Sequence, residues 1–215
     1  MRKGYLLGGE TIRKRDGEKV NRQAFCDANG SPDVLVFPWA SANFDQTYQR
    51  QKMVYDYLRY LGANSVTMVD YSCSYQEIKE KMSQSDLVYL TGGSASILVE
   101  RFRCVGVNTL LNEFNGVVVG RSAGALALCS KCLVTVRSTK QAKVVDGLGL
   151  VDLMLKVHYT RKKDVLLCGL SLGRQIFAVP SGSALVFDSV DGSLSCVGLV
   201  FVFENGERRE FCSYG

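Results

Sequence analysis

The sequence predicts an α/β protein: a mostly parallel β-sheet covered by helices on both faces, closing in β-hairpins, as one domain over residues 1–215. Three observations predict it. Short, continuous apolar runs alternate with stretches of helical period along the first half of the chain, the pattern of strands buried on both faces. Loops rich in glycine, serine and alanine follow several of those runs, so right-handed crossovers would gather them at one sheet edge. From about residue 165 the texture changes to short strands separated by S-G, D-G and N-G pairs, which are hairpin turns.

Taken in order, "DVLVFPWA" (33–40) reads as a doubly buried strand. "FDQTYQRQKMVYDYLRYLG" follows as a helix, with Tyr48, Met53, Tyr57, Leu58 and Leu61 near helical spacing and Gly62 as its stop. "SVTMVD" is a strand, "SYQEIKEKMSQS" a short helix, and "DLVYL" another strand. "TGGSAS" is a loop that runs into "ILVERFR", and the helical "NTLLNEF" leads to the strand "GVVVG". The closing hairpins are expected to pack on this same sheet.

Composition narrows the function classes. The 215 residues are 47% hydrophobic and 22% charged, so they can fill a core and contain no disordered tract. No apolar run reaches bilayer length, and the N-terminal apolar stretch is too short for a secretion signal, so a cytoplasmic protein without membrane partners is expected. The net charge of +5 rests on local clusters, "RKRDGEK" and "RKK", without interleaved aromatics, which argues against nucleic-acid binding. Eight cysteines lack a framework spacing and read as reduced, mostly buried thiols. Cys129 and Cys132 form a C-x-x-C, but without a second pair or a nearby histidine no metal or cofactor is implied.

The stretch with the most chemistry is "GVVVGRSAGALAL" (116–128). G-x-S-x-G between a buried strand and a helix is the nucleophile-elbow pattern, in which the glycines permit a tight turn that holds the serine above the sheet edge. Ser122 is the candidate nucleophile, and the Ala123 N–H at the helix start can donate to an oxyanion. The alternative reading is a glycine-rich packing turn. A serine nucleophile needs a base, and the chain has a single histidine, His158, at the end of the apolar stretch "VDLMLKV". Arg121, directly before the serine, either lines a pocket for an acidic substrate or pairs with an acid elsewhere.

In their order, "YLTGGS", "GVVVGRSAGALAL", "GLGLVDLMLKVHYT" and "SALVF" resemble the S51 serine peptidases, which include dipeptidase E and cyanophycinase. The resemblance implies a flavodoxin-like three-layer αβα sandwich, related to class I glutamine amidotransferases, and a cofactor-independent peptidase acting as a monomer or homodimer on a small peptide near an aspartyl residue. It implies Ser122 as nucleophile, His158 as general base, and the Gly93 and Ala123 amides as the oxyanion hole. Ser94 stands where dipeptidase E has an asparagine lining the substrate pocket, and Arg161 matches a basic position after the family histidine. Two acids of the family pattern are missing. The window that usually supplies the acid orienting the histidine reads "RSTK" (137–140), which leaves Asp146, ahead of Asp152, as the stand-in, although "VVDGLG" reads equally as a surface turn. The glutamate usual in a second segment is Ser181 in "AVPSGSAL". A backbone carbonyl, Gln141 or Ser138 can also orient the imidazole. Loss of an orienting carboxylate costs about 10⁴ in rate, yet serine, base and oxyanion hole still outpace the uncatalysed reaction. The expectation is therefore a Ser–His peptidase, with two alternatives: a catalytically impaired S51-like binding module, and an α/β-hydrolase esterase, which the hairpin ending disfavours.

Overall fold

The computed structural model describes residues 1–41, 49–135 and 142–211. In chain order the strands and helices are β1 (Lys3–Leu7), α1 (Glu18–Asp27), β2 (Asp33–Phe37), α2 (Gln49–Leu61), β3 (Ser65–Met68), α3 (Tyr75–Ser83), β4 (Leu87–Leu90), α4 (Ala95–Val105), α5 (Val107–Glu113), β5 (Val117–Arg121) and α6 (Ala123–Leu128). There follow β6 (Cys129–Thr135), β7 (Ala142–Asp146), β8 (Val151–Val157), α7 (Asp164–Leu170), β9 (Gln175–Val179), β10 (Ala184–Asp188), β11 (Leu194–Val197), β12 (Phe201–Glu204) and β13 (Glu207–Glu210).

The seven-stranded sheet runs β11-β10-β1-β5-β4-β2-β3. Its strands β1 to β5 are mutually parallel, and β10 joins antiparallel to β1. Because side chains alternate along a strand, Tyr5 and Leu7, Val34 and Val36, and Val117 and Val119 all face one side, packed against Val20, Phe25 and Leu58 of α1 and α2. Leu6, Leu35, Val88 and Val118 face the other side with Leu98 and Phe102 of α4 and the buried residues of α6. Helices thus cover both faces of the sheet in a three-layer α/β sandwich. At helix ends the local chemistry is visible: Ser74 and Glu77 form a reciprocal capping box that starts α3, and Gly62 follows α2 at φ +108°.

The expectation that the whole ending packs on one sheet is corrected. Only β10 and β11 extend the main sheet. The strands β9, β12 and β13 join β6, β7 and β8 in a second six-stranded sheet ordered β13-β12-β9-β8-β6-β7. The cause lies at α6, which spans only six residues before Cys129 turns the backbone extended at φ −79°, ψ 163°. The chain then leaves along β6, where Cys129 and Cys132 are buried in the core shared with the first sheet and Leu133 is buried on the opposite face. Leu155 and Val157 of β8 and Phe177 and Val179 of β9 share one core with α4 and α6, which fixes the second sheet against the first. The C-x-x-C belongs to this packing: Cys129 Sγ donates to the Ala125 carbonyl and Cys132 Sγ to that of Leu126, and burial pushes both thiols up, far from a reactive thiolate. Among the described residues no helix is long and apolar enough to cross a membrane.

Candidate active site

The parallel strands β1, β2, β4 and β5 all end at one edge, and Ser122 stands there. It has φ +52° and ψ −102°, a conformation that a residue with a Cβ adopts only under constraint, at a cost of about 1–3 kcal/mol. The two glycines of the motif show what imposes it. A Cβ on Gly120 would lie 2.6 Å from the Ala125 nitrogen, and one on Gly124 would lie 2.5 Å from the Leu90 carbonyl oxygen. Strand and helix therefore approach more closely than any side chain allows, and the residue between them is forced outward.

His158 follows β8 with a second left-handed backbone, φ +50°. Its Nε2 lies 2.7 Å from Ser122 Oγ, and its Nδ1 lies 3.1 Å from Ser181 Oγ. With the ring proton on Nδ1 donated to Ser181, Nε2 is left to accept from the Ser122 hydroxyl. The end of β1 and the loop after it hold the backbone on which these three side chains stand. The Ser122 N–H donates to the Leu7 carbonyl at 2.9 Å, the His158 N–H to Gly8 at 2.8 Å, and the Gly182 N–H to Gly9 at 2.9 Å. Both β1 and this loop went unread in the sequence analysis.

The sequence-derived candidates divide. Ser122, His158 and Arg121 meet at one cavity of about 900 Å³. Gly92 also lines it, and a Cβ there would sit 3.6 Å from that of Ser122, so the "TGGS" loop runs beside the serine. That loop is fixed from behind: the Ser94 N–H donates to the Ala40 carbonyl at 2.7 Å, and Arg101 Nη1 holds the carbonyls of Trp39 and Ser41 at 2.7 and 2.8 Å. Gly93 packs on Ala40, and Ala123 is buried at the first position of α6.

Three expectations do not hold. Asp146 does not orient His158: it is exposed at the end of β7 and bonded to Lys131 at 2.6 Å, which holds its carboxyl below the usual range, while the Nδ1 partner is Ser181. Ser94 is not a pocket residue: its hydroxyl caps α4, accepting from the Ile97 N–H, and it lies outside the cavity walls. Arg161 is exposed in a 3-10 turn, outside the cavity, because Thr160 is extended and carries the chain away from His158. The alternatives Gln141 and Ser138, like the window 137–140 and Tyr48, lie outside the described residues.

Electrostatics around the imidazole are one-sided. Desolvation by the surrounding protein lowers the His158 pKa below its ordinary value, and the cations Lys156, Lys163 and Arg121 lower it further. Lys156 is itself 4% exposed, with Nζ donating to Thr135 Oγ1 at 2.9 Å; burial, with Lys163 nearby, brings its pKa down to about 7. Between pH 7 and the ordinary lysine range the unfolded chain then binds a proton that the folded chain does not, so stability rises with pH there by up to about 1.4 kcal/mol per unit. Lys156→Met is expected to raise the thermal midpoint at pH 7 and to flatten its rise between pH 7 and 9. The same substitution removes a cation from His158 and should move the acid limb of any activity profile toward higher pH.

Fold and site together define a class first: α/β proteins that hold one hydroxyl on a strand-to-helix elbow against an imidazole at the open sheet edge. The family follows from the sequence, since residues 5–187 match the model of peptidase family S51, and the chain belongs to that family. It is 32% identical over 94 residues to an uncharacterised peptidase of Listeria monocytogenes, a match that covers 40% of this chain and 46% of that protein, so the shared stretch spans about half the relative's length. Two solved structures share the fold. A peptidase from an acI-B1 Actinobacterium superposes with a TM-score of 0.70 at 18% identity, covering 99% of this chain and 95% of the other. A candidate peptidase E protein from Listeria monocytogenes superposes with a TM-score of 0.68 at 22% identity, covering 92% and 98%.

Proposed function

We propose that the protein is a serine peptidase that hydrolyses small peptides carrying an acidic, aspartyl-type residue. One observation carries the reading: Ser122 Oγ lies 2.7 Å from His158 Nε2 on a constrained elbow that opens into the cavity. In the proposed reaction His158 takes the hydroxyl proton as Ser122 attacks the scissile carbonyl, then returns it to the leaving amine. The Gly93 and Ala123 amides receive the oxyanion, and water completes the cycle by hydrolysing the acyl-enzyme. Ser181 takes the place of the orienting acid. A hydroxyl fixes the tautomer but supplies no charge to steady the imidazolium, so the proposed enzyme is slower than one with a full triad.

The substrate preference follows from the walls. Among the described residues Arg13, Arg15, Arg50, Lys52 and Arg121 line the cavity against two carboxylates, Glu10 and Asp56, and Lys52 binds Asp56 at 2.8 Å. Among the described residues no hydrogen bond or ion pair holds the Arg121 guanidinium, so of the two readings of this residue the pocket wall is the one supported. We place the activity in the cytoplasm, where thiols without a disulfide framework stay reduced.

A second reading, a ligand-binding protein of weak or no catalytic power, is favoured by one specific feature, a hydroxyl, that of Ser181, where a carboxylate would orient His158 Nδ1. Incubation with aspartyl dipeptides, with amine release followed against Ser122→Ala, separates the two. Release by the wild type alone supports the peptidase, and equal background from both supports the binding protein. Ser181→Glu is expected to raise kcat by about tenfold or more, because a carboxylate stabilises the imidazolium, and to raise the apparent pKa of the acid limb. Ser181→Ala is expected to lower kcat about tenfold with little change in KM.

A further inference from the structure

The buried residues of α2 follow the spacing of a core-facing helix: Val54, Leu58 and Leu61 form one apolar stripe and are at most 5% exposed. One turn back, the same stripe reaches Gln51, only 7% exposed, at a position suited to an aliphatic side chain. Among the described residues its Nε2 has no hydrogen-bond partner. A buried donor left unsatisfied destabilises the fold that contains it, so a polar side chain kept in such a stripe needs a reason.

Gln51 lines a side cavity of about 140 Å³. Arg50, Met53, Gly92 and Arg121 border both this space and the cavity at Ser122, so the two adjoin. The volume is below that of pockets for whole ligands and suits a single side chain. The described residues that line the side cavity alone carry no charge: Val36, Pro38, Val54 and Met68 give it apolar walls, and Gln51 and Thr91 give it polar ones. Thr91 is 6% exposed, and its Oγ1 donates to the Phe37 carbonyl at 3.2 Å, which leaves the oxygen lone pairs to accept. One buried donor and one buried acceptor select the ligand chemistry. A primary carboxamide gives its carbonyl oxygen to Gln51 Nε2 and an N–H to Thr91 Oγ1. A carboxylate has no proton for Thr91 and would lose its water among apolar walls. An alkyl or thioether side chain fills the space but leaves Gln51 unsatisfied.

We propose that the side cavity is a subsite for a primary carboxamide, the side chain of an asparagine or glutamine beside the acidic residue of the substrate, read by Gln51 and Thr91. The inference rests on the reading of the main cavity as one that takes small peptides. It concerns binding, so it is testable without turnover.

The experiment measures, by calorimetry on the Ser122→Ala protein, the affinities for Asp-Gln, Asp-Glu and Asp-Met, whose second side chains are of similar size. Asp-Gln is expected to bind about tenfold more tightly than either of the others, the worth of satisfying one buried polar pair. Adding Gln51→Met should bring Asp-Gln down to the affinity of Asp-Met or below it. The same substitution should raise the thermal midpoint by a few degrees, because it removes the orphaned donor. A lower midpoint with all three peptides weakened alike would mark Gln51 as structural and overturn the proposal. If Gln51→Met does not fold, Gln51→Asn serves: it keeps the amide but withdraws it, and should weaken Asp-Gln selectively. The proposal is also overturned if Asp-Gln does not out-bind both other peptides, or if its preference survives Gln51→Met. Titration with butyramide and butyrate, read at the Gln51 side-chain N–H resonances by NMR, tests the subsite without any peptide. A shift with butyramide alone is expected, and no shift would overturn the subsite. Should butyramide bind while none of the peptides does, the peptide reading fails and the carboxamide subsite stands, so the two failures are distinguishable.

Discussion

Ser122→Ala and His158→Ala are each expected to lower kcat/KM for an aspartyl dipeptide by about 10³–10⁵, and the double variant by no more than the worse single one. The two side chains act as one unit: without the imidazole the hydroxyl keeps its proton, and without the hydroxyl the imidazole has nothing to activate. Complete triads lose about 10⁶ on such substitutions. The smaller figure reflects the starting point, an imidazole bonded to Ser181 at 3.1 Å with three cations depressing its basicity. KM should change little, since neither group supplies much ground-state affinity, and steady-state kinetics with matched circular dichroism spectra provide the check. Two roughly additive losses would mean that the 2.7 Å contact is not the working unit.

Gly9→Ala is expected to cost about 10²–10³ in kcat while leaving the fold in place, by displacing a ring that has nowhere else to go. A Cβ at this position would lie 2.2 Å from His158 Cε1, 2.4 Å from Nδ1 and 2.9 Å from Ser181 Oγ, and Gly9 itself sits at φ +145°, where a side chain is strained. The backbone of His158 cannot retreat easily, because its N–H is bonded to the Gly8 carbonyl and its φ is already +50°. The ring must swing out, which breaks its bonds to Ser122 and Ser181 together. Gly169→Ala, at a helical position where the added carbon meets nothing within 4 Å, is the matched control and should leave activity unchanged. Wild-type activity in Gly9→Ala would show that the imidazole position in the structure is not the one that matters.

Much of this was legible in the chain because it is local. The alternating strands and helices from β2 to β5 announce themselves by period, and the elbow around Ser122 carries its own glycines, one of them required by Ala125 five residues on and the other by Leu90 on the neighbouring strand. What escaped reading depends on contacts far apart in sequence. Ser181 sits in "PSGS", whose composition describes a turn and nothing more; its role comes from β9 lying parallel to β8, which brings the turn after β9 to the residue after β8. Asp146 suffered the opposite error. It is close to His158 along the chain, but β7 pairs with β6 at the sheet edge, and the carboxylate finds Lys131 there. The second sheet was hidden because β6 begins immediately after a six-residue helix and carries a C-x-x-C that invites a chemical reading.

The central claim is that Ser122 is a nucleophile activated by His158. Its most direct test is reaction of the purified protein with a fluorophosphonate, with the adduct located by peptide mass spectrometry in wild type, Ser122→Ala and His158→Ala. A single adduct on Ser122 of the wild type, lost in Ser122→Ala and strongly reduced in His158→Ala, is the predicted result. A folded wild-type protein that stays unlabelled, or that labels equally without His158, would contradict it.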